Sequence, residues 1–288
     1  MSFPATNRWL CGDQRISIPA GEPFFLGILN VTPDSFSDGG EFLSPGDAVR
    51  RGIQLLQSAQ GLDVGGESTR PGAEPVSAGE ERKRVIPVLR ELRREMPHAL
   101  LSIDTYKAEV ALAAIEIAGV NVVNDVGGGT WDPDMWGILE KSRVGYVCMH
   151  ASARPKEMQL NPRYEDVSQE IREFFDRKFA EWEKRGMATE RLVYDVGIGF
   201  GKRPDDNRKL LEADWAGLGR PMVWGLSRKS FLEVTQREKG MRNREEALDF
   251  WNRRLWEGGL PMIWRVHDPL RARQAWRIFS NDVFTLAR

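Results

Sequence analysis

Cysteine, histidine, long apolar runs and an excess charge of either sign are all scarce in this chain of 288 residues. Lysine plus arginine number 41 and aspartate plus glutamate 42, a formal net charge of −1. The long-range attraction that a general nucleic-acid binder needs is therefore missing, and only a local basic pocket remains open. The two cysteines, Cys11 and Cys148, are too few and too far apart for a disulfide framework or a thiolate metal site. No stretch approaches the roughly 18 uninterrupted apolar residues of a membrane span. Residues 1–8 carry neither the basic stretch nor the apolar run of a secretory signal. The expected compartment is the cytoplasm, with no nucleic-acid and no membrane partner. Apolar residues at 41 % and a net charge near zero exclude a disordered chain.

What is present is a regular alternation. Residues 24–30, 62–65, 99–104, 121–125, 145–150, 191–195, 221–226 and 262–266 read as strands. Amphipathic stretches at 45–59, 78–94, 107–118, 133–141, 164–185, 205–212, 230–234, 244–257 and 270–286 read as helices, the long one closed by Gly186. Strand–helix alternation predicts a parallel sheet. Eight such units at this length predict an α/β fold closed as a single (β/α)8 TIM barrel, with an open doubly wound sheet as the alternative. No repeat, low-complexity tract or linker interrupts the pattern, so one domain is expected over 1–288, with 1–22 as an N-terminal extension or hairpin.

Catalytic groups of such a barrel sit at the C-terminal ends of its strands and in the loops that follow. Here those ends carry Asn30, Asp63, Asp104, Asn124 with Asp125, His150, Asp195, Arg228 with Lys229, and Arg265 with His267 and Asp268. The plainest role for one such Asp, Asn or Ser is a helix N-cap; so many polar strand ends aimed at one mouth argue against capping throughout. Arg70, Arg228, Lys229, Arg265 and His267 would suit a multiply charged anion such as a diphosphate. Asp104, Asn124 and Asp195 can read the donor edge of a flat heterocycle, because a carboxylate accepts two N–H bonds at once. The expectation is a common cup with acids in one half and cations in the other. Residues 197–202, Gly-Ile-Gly-Phe-Gly-Lys, lack the spacing of a phosphate loop and read as a tight turn around an exposed Phe200. Gly127, Gly128 and Gly129 read as a flexible loop.

Longer motifs carry a specific resemblance. The blocks 27–40 (GILNVTPDSFSDGG) and 63–73 (DVGGESTRPGA) resemble the two signatures of the dihydropteroate synthase family. Ser102-Ile103-Asp104-Thr105, Asn124-Asp125, Met149-His150, Gly199-Phe200-Gly201-Lys202, Ser227-Arg228-Lys229-Ser230 and Arg265-Val266-His267-Asp268 follow in the family's order. The resemblance implies a (β/α)8 barrel that joins p-aminobenzoate to a dihydropterin methyl diphosphate, releasing pyrophosphate in folate biosynthesis. It implies Mg²⁺ as cofactor with Asn30 as a ligand, and Asn30, Thr69, Arg70, Arg265 and His267 around the diphosphate. Asp104, Asn124, Met149, Asp195 and Lys229 would hold the pterin. Pro71, Phe200 and Ser230 would line the p-aminobenzoate side, with Asp104, Lys229, Arg265 and His267 as the catalytic set. A homodimer is the assembly the resemblance suggests.

Several positions depart from the family pattern. Val196 and Ile198 follow Asp195 where Pro and Phe are usual, and the approach to Asp63 is one residue short, which would shift the start of that strand. Residues 151–154 replace a methionine-containing turn after His150, which reads as structural. The largest departure is at 249–257, where Trp251 and Trp256 stand in a helix usually rich in small residues. Six of the ten tryptophans (215, 224, 251, 256, 264 and 276) lie after residue 214, where core or interface filling is expected of them. Two other functions compete with the synthase: a pterin-binding paralogue without catalysis, and a pterin-dependent methyl-transfer domain, which would not need the Ser227–Ser230 block.

Overall fold

The computed structural model describes residues 6–32, 44–69 and 72–286, with side chains as far as Asn281. Strands β1 (Arg8–Cys11) and β2 (Gln14–Ser17) form an antiparallel hairpin turning at Gly12, whose φ of 66° favours glycine. Eight parallel strands follow: β3 (Phe24–Asn30), β4 (Gly61–Gly65), β5 (Leu100–Asp104), β6 (Val122–Asp125), β7 (Gly145–Met149), β8 (Leu192–Asp195), β9 (Met222–Trp224) and β10 (Met262–Val266). They close into a barrel when β10 pairs with β3, Ile263 opposite Phe24. Helices α1 (Pro45–Leu56), α2 (Ala78–Glu95), α3 (Ala108–Ala118), α4 (Met135–Lys141), α5 (Val167–Lys184) and α6 (Pro204–Glu212) each follow one strand. The pair α7 (Phe231–Glu238) and α8 (Arg244–Glu257) follows β9, and α9 (Pro269–Leu286) follows β10.

The expected elements are all present, with shifts at their ends that have local causes. Strand β4 begins at Gly61, not Leu62. Helix α5 starts at Val167, because the Asp166 carboxylate accepts from the Ser168 and Gln169 amides and caps it there, leaving Tyr164 outside.

Side chains alternate across each strand. Phe25, Leu29, Leu62, Leu101, Ile103, Tyr194 and Trp264 point outward into the layer under the helices. The alternate residues point into the barrel, and their lower set, Phe24, Leu26, Leu100, Val122, Val147, Val193, Val223 and Ile263, forms one apolar floor with Trp9, Cys11 and Ile18 of the hairpin region. Trp9 is the plug. Its Nε1 donates to the Arg191 carbonyl at 3.0 Å, and a Cβ on Gly145 would stand 2.9 Å from that same Nε1. One turn higher the inward residues become polar: Asp63, Ser102, Asn124 and then Asp104, Asp195 and Arg265. The fold is thus dry below and charged above.

The late tryptophans fill space. Trp215, Trp224, Trp251 and Trp264 are buried. Trp264 meets Phe25 edge-on at 5.6 Å, Trp251 donates to Thr235 Oγ1 at 3.0 Å across α7 and α8, and Trp256 donates to the Gly21 carbonyl. Among the described residues no helix is long and apolar enough to cross a membrane.

Emptying the plug should be costly. Trp9→Ala is expected to lower the unfolding free energy by about 3–5 kcal/mol in a denaturant titration; a loss below about 1 kcal/mol would mean that the hairpin does not close the floor.

Candidate active site

At the centre of the cup one cation serves two acids. Arg265 Nε donates to Asp63 Oδ2 at 2.6 Å, and its Nη2 to Asp104 Oδ2 at 2.5 Å. Asp63 is completely buried and also accepts from Ser102 Oγ at 2.5 Å and Asn124 Nδ2 at 2.8 Å. Strands β4, β5, β6 and β10 are therefore joined through inward side chains alone. The expected separation of acids from cations does not hold here: Arg265 lies between carboxylates, because an isolated buried guanidinium or carboxylate is too costly to leave unpaired. Asp104 Oδ1 is buried and has no hydrogen-bond partner among the described residues.

Burial pushes the Asp104 carboxyl up to about 7; Arg265 pulls against this, and the Asp63 charge adds to it. Burial works against the Arg265 cation too, but Asp104 and Asp63 outweigh it and hold the guanidinium above its ordinary value. A second acid–base pair stands on β8 and in the loop after β9. Burial raises the Asp195 carboxyl, opposed by Lys229 and by the Gly197 amide, which donates to Asp195 Oδ1 at 2.7 Å. Burial draws the Lys229 ammonium down to about 8, with Asp195 opposing. Lys229 Nζ donates to the Ile198 carbonyl and lies 4.3 Å from the Phe200 ring centroid.

Around this floor Met149 is buried against Tyr106 and Val126, with Trp131, Ala151 and Phe200 packed alongside. His267 Nδ1 is 3.1 Å from Ser227 Oγ. Ser230 is exposed at the start of α7 and spends no side-chain bond on capping it. Asn30 and Thr69 are half-buried at the ends of β3 and of the described part of the β4–α2 loop. Arg70 and Pro71 lie outside the described residues. Strand parity turns two polar ends away. Asp125 faces outward, where it accepts from the Gly127 and Gly129 amides and from Tyr146 Oη, and Asp268 caps α9 through the Arg271 amide. The three glycines at 127–129 are thus a pinned turn and not a flexible loop; a Cβ on Gly128 would meet the Met149 carbonyl at 2.5 Å. Arg228 is exposed at φ 62° and makes no hydrogen bond or ion pair with the cup among the described residues.

An acid pair sharing one arginine, a second acid with a lysine, and an aromatic rim thus meet on one barrel mouth, and the chain that carries them is similar to known proteins. Residues 26–267 match the family model described as "Pterin binding enzyme". Dihydropteroate synthase of Synechocystis is 37% identical over 262 residues, 87% of this chain and 90% of that protein. That of Escherichia coli K12 is 39% identical over 222 residues, 76% of this chain and 78% of that protein. The chain belongs to the dihydropteroate synthase family of pterin-binding enzymes. Among solved structures, Xanthomonas albilineans dihydropteroate synthase with 4-aminobenzoic acid superposes with a TM-score of 0.84 at 34% identity, over 96% of this chain and 98% of that one. Burkholderia cenocepacia dihydropteroate synthase complexed with 7,8-dihydropteroate gives 0.80 at 35%, over 99% and 98%.

Within this family frame the fold brings Asp104, Asn124, Asp195, Lys229 and Arg265 into one electrostatic neighbourhood, with Met149, Phe200 and His267 at its edge. Reading the motifs alone left out two features. Asp63 was visible as a strand end, but its service to Arg265 depends on a partner 202 positions away. The second is a buried ionic cluster under the β4–α2 loop. Lys107 Nζ bonds Glu67, and Glu81 at 2.5 Å, while Tyr106 Oη donates to Glu67 at 3.1 Å. Glu81 sits among Glu80, Arg82, Lys83 and Arg84 in the sequence, and only the helix phase reveals it as an inward residue.

The raised Asp104 carboxyl has a thermodynamic signature. The native state holds this proton between the unfolded value near 3.8 and about 7, so the stability tied to it is present at low pH and lost as pH rises through that window. Asp104→Asn should therefore gain on the unaltered protein by about 2–4 kcal/mol between pH 4 and pH 8 in urea unfolding; parallel pH curves for the two proteins would contradict the shift.

Proposed function

We propose that this chain is a transferase that condenses p-aminobenzoate with (7,8-dihydropterin-6-yl)methyl diphosphate, giving 7,8-dihydropteroate and pyrophosphate in folate biosynthesis. The observation that carries it is the buried Asp104 Oδ1 without a partner, on the same floor as Asp195 and Lys229. A flat heterocycle with several N–H donors and a ring acceptor supplies what those groups lack. Asp104, Asn124, Asp195 and Lys229 would hold the pterin, with Met149 against its face. Asn30, Thr69, Arg70, Arg265 and His267 would hold the diphosphate, and Pro71, Phe200 and Ser230 the p-aminobenzoate.

The reaction breaks the bond between the pterin methylene carbon and the diphosphate oxygen, and forms one from that carbon to the aniline nitrogen. Arg265 and His267 would stabilise negative charge growing on the departing pyrophosphate. Asp104, as a carboxylate once pterin N–H groups reach it, would stabilise the cationic methylene electrostatically. The neutral amine attacks and then loses one proton, for which no base of unusual strength is needed. Among the described residues no group of three His, Cys, Asp or Glu gathers to hold a metal. Asn30 fits a Mg²⁺ bound chiefly through substrate phosphate and water, to which it would add one amide oxygen. Such an ion would neutralise charge on the diphosphate when bound.

A cytoplasmic homodimer belongs to the same proposal. The composition supports the compartment, and Leu270 and Ile278, exposed on α9, offer an apolar surface for a second copy. The non-catalytic paralogue is not favoured, since relatives that this chain matches over most of their length are synthases.

Purified protein supplied with both substrates and Mg²⁺ is expected to form dihydropteroate; pterin binding without product would sink the enzyme reading. Lys229→Ala should lower turnover at least a hundredfold, about 3 kcal/mol or more, with its circular dichroism unchanged. Retained turnover would remove Lys229 from the site.

A further inference from the structure

The loop between β8 and α6 is held in a way that its glycine-rich sequence does not suggest. Gly197, Gly199 and Gly201 have φ of 69°, 81° and 63°, so the backbone adopts a shape open to few other residues. Four successive carbonyls of this loop then each accept from a side chain, one of them in the loop itself, two in the β7–α5 loop and one after β9. Ile198 accepts from Lys229 Nζ, Gly199 from Gln159 Nε2 at 3.0 Å, Phe200 from Lys202 Nζ at 3.0 Å, and Gly201 from Tyr164 Oη at 2.9 Å. Between these anchors the Phe200 ring is presented to the cup beside Met149.

Lys202 is the anchor with the most to explain. It is 3% exposed, and besides the Phe200 carbonyl it reaches His150 Nδ1 at 3.1 Å and the His150 carbonyl at 3.2 Å. Burial draws the Lys202 ammonium down to about 7, with Asp195 opposing; in its charged form it has three protons, one for each of these acceptors, and meets an unprotonated Nδ1 on His150. Burial agrees, pushing the imidazolium down to about 2. His150 is fixed in turn by its amide, which donates to the Asp195 carbonyl at 2.9 Å, and by the Phe174 ring edge-on at 5.0 Å. A buried cation is a costly way to hold a turn that its own glycines and the Asn207 cap at Gly199 already shape. What the cation adds is control over the carbonyl of the one residue in the loop whose ring faces the cup.

We propose that Lys202 and His150 are positioning residues for the arylamine substrate: together they set the Phe200 carbonyl, and through it the ring against which p-aminobenzoate packs. This rests on the reading of Phe200 given above. The pair also faces Asp195, whose carbonyl accepts from the His150 amide, and makes no bond to Asp104 or Asn124 among the described residues.

The test is steady-state kinetics with each substrate varied in turn. Lys202→Met should raise the KM for p-aminobenzoate roughly tenfold while the KM for the pterin diphosphate stays within about twofold. His150→Phe, which removes the acceptor, should follow it, and His150→Asn, whose amide oxygen can replace Nδ1, should recover most of the loss. Equal rises in both KM values, or a fall in kcat alone, would overturn the proposal. Should Lys202→Met fail to fold, the His150 variants decide: a selective rise for p-aminobenzoate in His150→Phe that His150→Asn reverses supports the positioning role, and an unchanged value in His150→Phe overturns it. The unaltered protein run alongside separates the two readings. No dihydropteroate from it sinks the function itself and this inference with it, whereas normal turnover with unselective variants sinks only the positioning role.

Discussion

The cup is organised by one guanidinium shared between two buried carboxylates. Arg265 is the only side chain on β10 that reaches both β4 and β5 at bonding distance, and Asp63 carries the link on to β5 and β6 through Ser102 and Asn124. With one positive charge against two negative ones the arrangement is short of a cation. Burial, with the Asp63 charge adding to it, holds the Asp104 proton to about 7 against the pull of Arg265, and one of its oxygens stands without a partner among the described residues. A ligand that brings N–H donors and partial positive charge corrects both defects at once. Under the function proposed above, the same imbalance would favour a pterin cation while it exists.

The remaining architecture makes that arrangement affordable in a small barrel. Period-two alternation sends apolar side chains into the lower half of the barrel, where Trp9 seals them from water. The polar groups are confined to the upper layers, where each strand contributes one or two inward positions. Loops then add what strands cannot. The β8–α6 loop supplies an aromatic ring on a backbone anchored at four successive carbonyls, and the buried Glu67–Lys107–Glu81 cluster braces the β4–α2 loop at its base.

Much of this was legible in the residues. The strands β3 and β10 fall where the apolar runs place them, and the order of strand and helix allows few folds other than the barrel found. The polar strand ends identified the mouth. What the sequence could not show is parity and long-range pairing. Asn124 and Asp125 are neighbours in the chain, yet one faces the cup and the other clamps a glycine turn on the outside. Counting cations predicted a positive half of the cup, but the cost of burying an unpaired charge draws Arg265 between acids and leaves Arg228 in solvent. The large rings of the tryptophan-rich C-terminal segment fill the layer between helices and barrel.

The central claim is that Asp63, Arg265 and Asp104 act as one coupled unit, and a thermodynamic cycle on the free protein measures it directly. Arg265→Met alone should lower the unfolding free energy by about 3–5 kcal/mol, since it strands two buried carboxylates. Adding Asp63→Asn and Asp104→Asn to the same chain should recover most of that loss. If instead the triple variant is less stable than Arg265→Met by the sum of the separate substitutions, the three residues are independent and the account of the cup is wrong.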